Sequence, residues 1–333
     1  MKISIFESEP WEKEYFERHI EKDNLSFISE PLSIENVKQA SSSDIVIVFI
    51  HSSLDSKVIG KLKKARCIIT RSVGFDHIDL KACKRKKISV FNISDYGAQT
   101  VAEHTFALIL ALTRKITSAN TKSKLHNFDL EGLEGKDIYG KTLGVIGPGK
   151  IGQEVIKRAK AFGLEVIAYC NKPDEKISKE LGFKYVSLTE LLRKSDIITL
   201  HAPLTKQTYH VLNSESLAEV KKGVYIINTA RGALIDSRAL LGALDSGIVG
   251  GAALDVLEGE DEIREEHELL SKGRINKSAA LSLIINNEIL RHPNVIATPH
   301  IAFYTSEALE RIVRETCMIV KRFKKKDKNG ALV

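Results

Sequence analysis

At 333 residues the chain is too long for one ordinary hydrophobic core and about right for two domains. Its 43% hydrophobic and 28% charged residues are the balance of a soluble globular protein. The net charge of +7 lies largely in Lys321–Lys328, KRFKKKDK, which has no aromatic platform or binding motif beside it; it reads as a solvated helix end, no nucleic-acid partner is expected, and a modest positive field suits a small anionic substrate.

The N-terminus, MKISIFESEPWEKEYF, alternates apolar and polar residues and has no apolar signal segment. Short apolar runs then alternate with helical patterns. Candidate strands are Ile3–Phe6, Ile45–Phe49, Cys67–Thr70 and Ser89–Phe91, the rhythm of a parallel α/β sheet. One long helix is expected from Thr100 to about Ser123. Its apolar centre, Phe106–Thr113, is far short of the roughly twenty residues that span a bilayer, so it reads as a buried helix and no membrane partner is expected. After the polar stretch HNFDLEGLEGKDIYGK a second α/β series begins. It comprises strand Thr142–Ile146, helix Ile151–Phe162 and strands Glu165–Tyr169, Ile197–His201, Val224–Asn228, Gly251–Asp255 and Val295–Thr298. A last helix from about Ser306 to Phe323 has no strand after it and could cross back to the first series. The four cysteines, Cys67, Cys83, Cys170 and Cys317, are scattered without a CxxC pair. Neither a metal site nor a disulfide framework is expected, and a cytoplasmic location fits.

Gly147-Pro-Gly149-Lys150-Ile151-Gly152 follows one strand directly and opens a helix. In a dinucleotide site the first glycine permits the tight turn, the second lets the backbone approach a pyrophosphate, and the third lets helix and strand pack closely. The phosphates then sit at the helix N-terminus, where N–H groups and the dipole favour anions. A purely structural turn is the plainer alternative. The next strand, Glu165–Tyr169, should end in an acid for the ribose 2′-hydroxyl about twenty residues on. It ends instead in Cys170, Asn171 and Lys172. A thiol is a weak hydrogen-bonding group, whereas Lys172 could reach a 2′-phosphate. The expected cofactor is therefore NAD or NADP, with tolerance of NADP. If Cys170 is merely packed and Lys172 solvated, NAD still binds.

Three later stretches each end a candidate strand: INTARG with Arg231, LDVLEGEDE with Glu258 and Glu260, and IATPHIAFYT with His300. Ligands of open α/β sheets bind beyond the carboxyl ends of the strands. Hydride addition to a carbonyl creates an alkoxide, so a proton must arrive with it, and a histidine suits that task. A carboxylate orients the histidine, and an arginine fork grips a substrate carboxylate and polarises the carbonyl. Each residue alone has an ordinary structural reading: a loop cap for His300, a surface ion pair for Arg231, a solvated acid for Glu260.

The motifs RSVGFDHIDL (Arg71–Leu80), TVAEHT (Thr100–Thr105), GVIGPGKIG (Gly144–Gly152), HAPLT (His201–Thr205), INTARG (Ile227–Gly232), ALDVLEGE (Ala253–Glu260) and TPHIAFYT (Thr298–Thr305) together resemble the D-isomer-specific 2-hydroxyacid dehydrogenase family along essentially the whole chain. Phe303 and Tyr304 after His300, and the long acidic insertion after Glu260, look most like its D-lactate dehydrogenase branch. The resemblance implies that Arg231 binds and polarises a 2-oxoacid, His300 is the acid/base and Glu260 pairs with it. It implies that Val73 and Gly74 offer N–H groups to the substrate carboxylate and that Tyr96 and Phe303 line the pocket. Cofactor contacts would fall on Lys150, Ile151, Ala202, Pro203, Thr208, Thr229 and Ala230, with Asp255 beside the nicotinamide amide and Val101 against its ring.

The implied fold is a discontinuous, flavodoxin-like substrate domain, residues 1–100 and 301–333, flanking a Rossmann dinucleotide-binding domain, residues 101–300. A homodimer through the long helix is also implied. The expected reaction is reversible reduction of a small 2-oxoacid, pyruvate first, to the D-2-hydroxyacid. A glyoxylate/hydroxypyruvate reductase uses the same three residues, and a dinucleotide-sensing corepressor shares the fold. A formate dehydrogenase is disfavoured, because that branch places an amide where Glu260 stands.

Overall fold

The computed structural model describes residues 1–20, 23–93, 96–259 and 277–333. They form two compact units, Met1–Tyr96 with Tyr304–Val333, and Gly97–Phe303. The divisions fall at 96/97 and 303/304, where the sequence suggested 100/101 and 300/301.

In the first unit β1 (Lys2–Ile5), β2 (Asn24–Phe27), β3 (Ile45–Val48), β4 (Cys67–Thr70) and β5 (Ser89–Asn92) form a parallel sheet in the order β2-β1-β3-β4-β5. That is the flavodoxin-like order. Every residue of β3 and β4 is buried, as expected of parallel strands covered on both faces. The helices are α1 (Pro10–His19), α2 (Ser56–Lys61), α3 (Leu80–Arg85) and the closing helix Ser306–Lys324. The closing helix buries Ile312, Val313, Cys317 and Val320, and Leu332 donates its N–H to the Val90 carbonyl at 2.7 Å, so the C-terminal segment belongs to this unit. Lys321, Arg322 and Lys324 occupy its last turn, where cations complement the helix dipole. Strand β2 escapes a sequence reading because NLSF is only partly buried and has no apolar run.

The second unit has seven parallel strands: β6 (Thr142–Ile146), β7 (Glu165–Tyr169), β8 (Lys184–Tyr185), β9 (Ile197–Leu200), β10 (Val224–Asn228), β11 (Val249–Leu254) and β12 (Val295–Ala297). Their order, β12-β11-β10-β9-β6-β7-β8, is the doubly wound Rossmann order counted from β6. Strand order reverses between β9 and β7, on either side of β6, and that is where such sheets bind dinucleotides. The helices are α4 (Ala98–Thr113), α5 (Ile116–Lys124), α6 (Lys150–Ala161), α7 (Glu175–Leu181), α8 (Leu188–Lys194), α9 (Ser214–Ala218), α10 (Ser237–Asp245) and the helix Lys277–Arg291. Ala102, Phe106, Ile109 and Leu112 of α4 share one core with Val155, Ile156 and Ala159 of α6 and Leu143, Val145 and Val166 of the sheet.

The single helix expected over Thr100–Ser123 is two helices. The Thr113 carbonyl accepts the Lys136 N–H at 2.8 Å and the Thr113 hydroxyl donates back to the Ile109 carbonyl at 2.8 Å. Lys115 then takes a left-handed backbone, φ 54°, and its Nζ donates to Asn294 Oδ1 at 2.8 Å. Tertiary hydrogen bonds here override a continuous helical pattern.

Candidate active site

The glycine turn between β6 and α6 uses each glycine differently. Gly147 has φ 91°, and a Cβ there would lie 2.6 Å from the Ala202 nitrogen at the end of β9. A Cβ on Gly152 would lie 2.6 Å from the Gly147 oxygen. A Cβ on Gly149 meets no protein atom within 4 Å. Gly149 is the N-cap of α6 and makes no side-chain cap, and Lys150 and Ile151 begin the helix. The first N–H groups of any helix lack intrahelical acceptors. The donor set and the open approach at Gly149 fit a dinucleotide pyrophosphate.

After β7, Cys170 is half-buried and Asn171 and Lys172 are exposed. Asn171 Oδ1 accepts from the Tyr169 hydroxyl at 3.0 Å. The first acid after the strand is Asp174, and its carboxylate caps α7 by accepting from Lys176 N–H at 2.9 Å. After β9, Ala202 is buried, Pro203 is exposed, and Thr208 donates to the Pro203 carbonyl at 2.6 Å.

After β10, Asn228 is buried and braces the turn: its Oδ1 accepts from Ala230 N–H at 3.0 Å, and its Nδ2 donates to the Arg231 carbonyl at 2.9 Å. A Cβ on Gly232 would lie 2.1 Å from the Leu257 carbonyl, so the turn that carries Arg231 is in backbone contact with the segment after β11. Thr229 meets the Thr105 hydroxyl of α4 at 3.1 Å, one turn from buried Val101.

After β12, His300 has a left-handed backbone, φ 56°, and its N–H donates to the Asp255 carbonyl at 2.9 Å. The Asp255 carboxylate accepts from Ile301 N–H and Ala302 N–H, both at 2.9 Å, and from the Thr298 hydroxyl at 2.5 Å. Burial pushes this carboxyl up, but the nearby His104 ring, 3.5 Å away, and bonds from Thr298, Ala302 and Ile301 outweigh it and hold the group below the usual carboxylate range. The His300 ring lies edge-on to Phe303, with centroids 6.3 Å apart.

Of the two candidate acids, Glu258 is engaged elsewhere: its Oε1 is 2.6 Å from His210 Nε2 and its Oε2 accepts from Ser237 N–H at 3.4 Å. Glu260 lies outside the described residues. Another histidine near these strand ends, His201, has Nε2 2.9 Å from the Thr199 hydroxyl and a buried Nδ1 with no partner among the described residues. Burial drives its pKa down to about 3, so it stays neutral at neutral pH and holds no proton to give.

In the first unit the turn after β4 carries Val73 and Gly74. Their carbonyls are occupied: Val73 O accepts from Asn92 Nδ2 at 2.8 Å and Gly74 O from the Ser72 hydroxyl at 2.6 Å. Their N–H groups have no partner among the described residues. Arg71, fully buried at the root of this turn, is ion-paired to Glu12 and donates to the Glu7 carbonyl at 2.6 Å. Tyr96 is buried, and its carbonyl accepts from Arg311 Nε at 2.8 Å.

The D-isomer specific 2-hydroxyacid dehydrogenase NAD-binding domain model matches residues 106–302. The 2-hydroxyacid dehydrogenase homolog 1 of Schizosaccharomyces pombe is 37% identical over 338 residues, covering 100% of this chain and 99% of that protein. The chain belongs to the D-isomer-specific 2-hydroxyacid dehydrogenases. Its fold is also that of the D-lactate dehydrogenase of Aquifex aeolicus, solved with NAD and lactic acid: the TM-score is 0.89 at 37% identity, covering 99% of each chain. An acyclic imino acid reductase in complex with NADPH and D-Arg has a TM-score of 0.83 at 30% identity, covering 100% of each chain.

This 2-hydroxyacid dehydrogenase is thus an oxidoreductase acting on CH–OH groups, with a Rossmann domain for NAD. Two of its polar residues, His104 and Thr298, carry no role in a motif reading. His104 Nε2 is 3.2 Å from Thr298 Oγ1 although 194 residues separate them. Both stand inside the quoted motifs TVAEHT and TPHIAFYT, but nothing in local spacing pairs them.

Proposed function

We propose that the enzyme reversibly reduces a small 2-oxoacid, pyruvate first, to the D-2-hydroxyacid, with His300 as general acid and base. The observation that carries this reading is the carboxyl edge of the seven-stranded sheet, where the glycine turn, Arg231 and His300 close β6, β10 and β12. Lactic acid in the Aquifex aeolicus relative supports pyruvate as the first substrate. A bound nicotinamide dinucleotide supplies the hydride. Arg231 grips the 2-oxoacid and draws electron density toward the carbonyl oxygen. His300 hands its proton to that oxygen as the alkoxide forms, and takes it back in the reverse direction. The family resemblance gives Glu260 the task of orienting His300. The same resemblance assigns the substrate carboxylate to the N–H groups of Val73 and Gly74, and contacts with the substrate side chain to Tyr96 and Phe303. Turnover of a 2-oxoacid panel with chiral analysis of the product tests the reading. An L-product, or no turnover, would overturn it.

We also propose that both NADH and NADPH serve. Position 170 has no acid to hold the ribose 2′-hydroxyl or repel a 2′-phosphate, Asp174 is committed to α7, and Lys172 is exposed. The reductase relative solved with NADPH supports this. The ratio of kcat/KM for the two cofactors decides it. A preference for NADH of about a hundredfold, about 2.7 kcal/mol, would sink the proposal. Cys170→Asp is expected to shift preference toward NADH, and Lys172→Ala to weaken use of NADPH more than of NADH.

A homodimer is proposed from the apolar surface of the second unit. Ile116, Leu125, Phe128, Leu130 and Tyr139, on α5 and the segment after it, are all at least 55% exposed. Exposed apolar side chains of this number on one stretch of chain suit an interaction surface. A monomer mass in sedimentation equilibrium would contradict it.

A further inference from the structure

Asp255 binds three consecutive amides. Its backbone carbonyl takes the N–H of His300, its Oδ1 that of Ile301 and its Oδ2 that of Ala302, each at 2.9 Å. These bonds fix the segment on which His300 stands in a left-handed conformation, φ 56°, that a non-glycine residue seldom adopts unaided. The carboxylate can hold that geometry only if its own plane is fixed.

Two side chains are placed to fix it. Thr298 Oγ1 is 2.5 Å from Asp255 Oδ1, and His104 Nε2 is 3.2 Å from Thr298 Oγ1 and 3.5 Å from Asp255 Oδ1. A threonine hydroxyl has one hydrogen, and an ionised carboxylate can only accept. The Thr298 hydrogen therefore goes to Asp255, and His104 Nε2 must be the donor to Thr298. The direction of the chain is settled: His104 Nε2–H to Thr298 Oγ1–H to Asp255. The histidine stands on α4, whose Ala102, Phe106 and Ile109 are packed in the core, while its own side chain is 20% exposed. It is thus a donor mounted on a rigid element.

We propose that His104 is a positioning residue for His300: as the donor that orients Thr298 and through it the Asp255 carboxylate, it holds the amides of Ile301 and Ala302 and with them the His300 backbone. Its effect on turnover rests on the reading of His300 as the acid and base; its effect on the segment does not.

Hydrogen–deuterium exchange at the Ile301 and Ala302 amides, measured beside kcat, separates the two. In His104→Leu exchange at these amides is expected to rise about tenfold. In the same variant kcat should fall about ten- to a hundredfold, the scale of a small misplacement of a catalytic group, with KM for NADH nearly unmoved. His104→Gln keeps an N–H donor and should restore both readouts to within about threefold of wild type. If His104→Leu does not fold, Thr298→Val removes the relay oxygen and should raise the same exchange. Faster exchange with unchanged kcat would leave the brace standing but overturn its positioning of His300, whose own acid and base role is tested separately by His300→Ala. Unchanged exchange in His104→Leu and Thr298→Val would overturn the inference, whatever happens to kcat.

Discussion

Replacing His300 with alanine is expected to lower kcat by about 10²–10⁴, the usual worth of a positioned general acid, while NADH affinity stays nearly unchanged. Two neighbouring groups, His201 and Glu258, are not placed to take over. His201 is held neutral by burial, with a pKa near 3, and Glu258 is tied to His210. The backbone bonds at this position run through the His300 N–H and its neighbours to Asp255, so the ring can be removed without removing them. Alanine does pay a modest cost in the left-handed region, so a second variant is informative. Asparagine tolerates that backbone far better. His300→Asn should therefore fold at least as well as His300→Ala and lose as much activity. Steady-state kinetics with fluorescence titration of NADH reads both effects. A fall in kcat of less than about tenfold in both variants would remove His300 from the acid/base role.

The parts of this molecule legible in sequence were those written in contiguous residues. The glycine turn announced itself because strand, turn and helix follow one another from Thr142 to Ala161. Strands β6, β7 and β10 were readable end to end, since strands buried in a parallel sheet are almost continuously apolar. The strand-end positions of Arg231 and His300 followed from the same runs. What stayed hidden depends on partners distant in the chain. The break at Lys115 is imposed by Lys136 and Asn294, neither of which is near α4 in sequence. Glu258 and Glu260 are chemically alike in LEGE, and only the approach of His210 shows that Glu258 is engaged. His104 sat in plain view inside a recognised motif, yet its function as a donor depends on which hydrogen Thr298 has left to give.

The other large effect is expected at the glycine turn, where two substitutions of the same size should behave differently. Gly149→Ala adds a methyl that meets no protein atom within 4 Å, and its φ of −74° suits alanine. The fold should notice only a poorer N-cap, about 1 kcal/mol or about 3 °C in Tm. If a pyrophosphate approaches the backbone at this glycine, the methyl occupies its path and draws it away from the N–H groups that open α6. NADH affinity should then fall about a hundredfold, about 2.7 kcal/mol. Gly147→Ala meets a different obstacle. Its Cβ would lie 2.6 Å from the Ala202 nitrogen, and φ 91° is hostile to any side chain. Either β6 or the end of β9 must shift, so stability should drop by about 3 kcal/mol or more along with binding. Thermal unfolding paired with an NADH titration distinguishes the two. A loss of binding of about a hundredfold with stability lowered by only about 1 kcal/mol in Gly149→Ala is the outcome that a purely structural turn cannot produce, and a Gly149→Ala enzyme that binds NADH as tightly as wild type would show that the phosphates do not pass there.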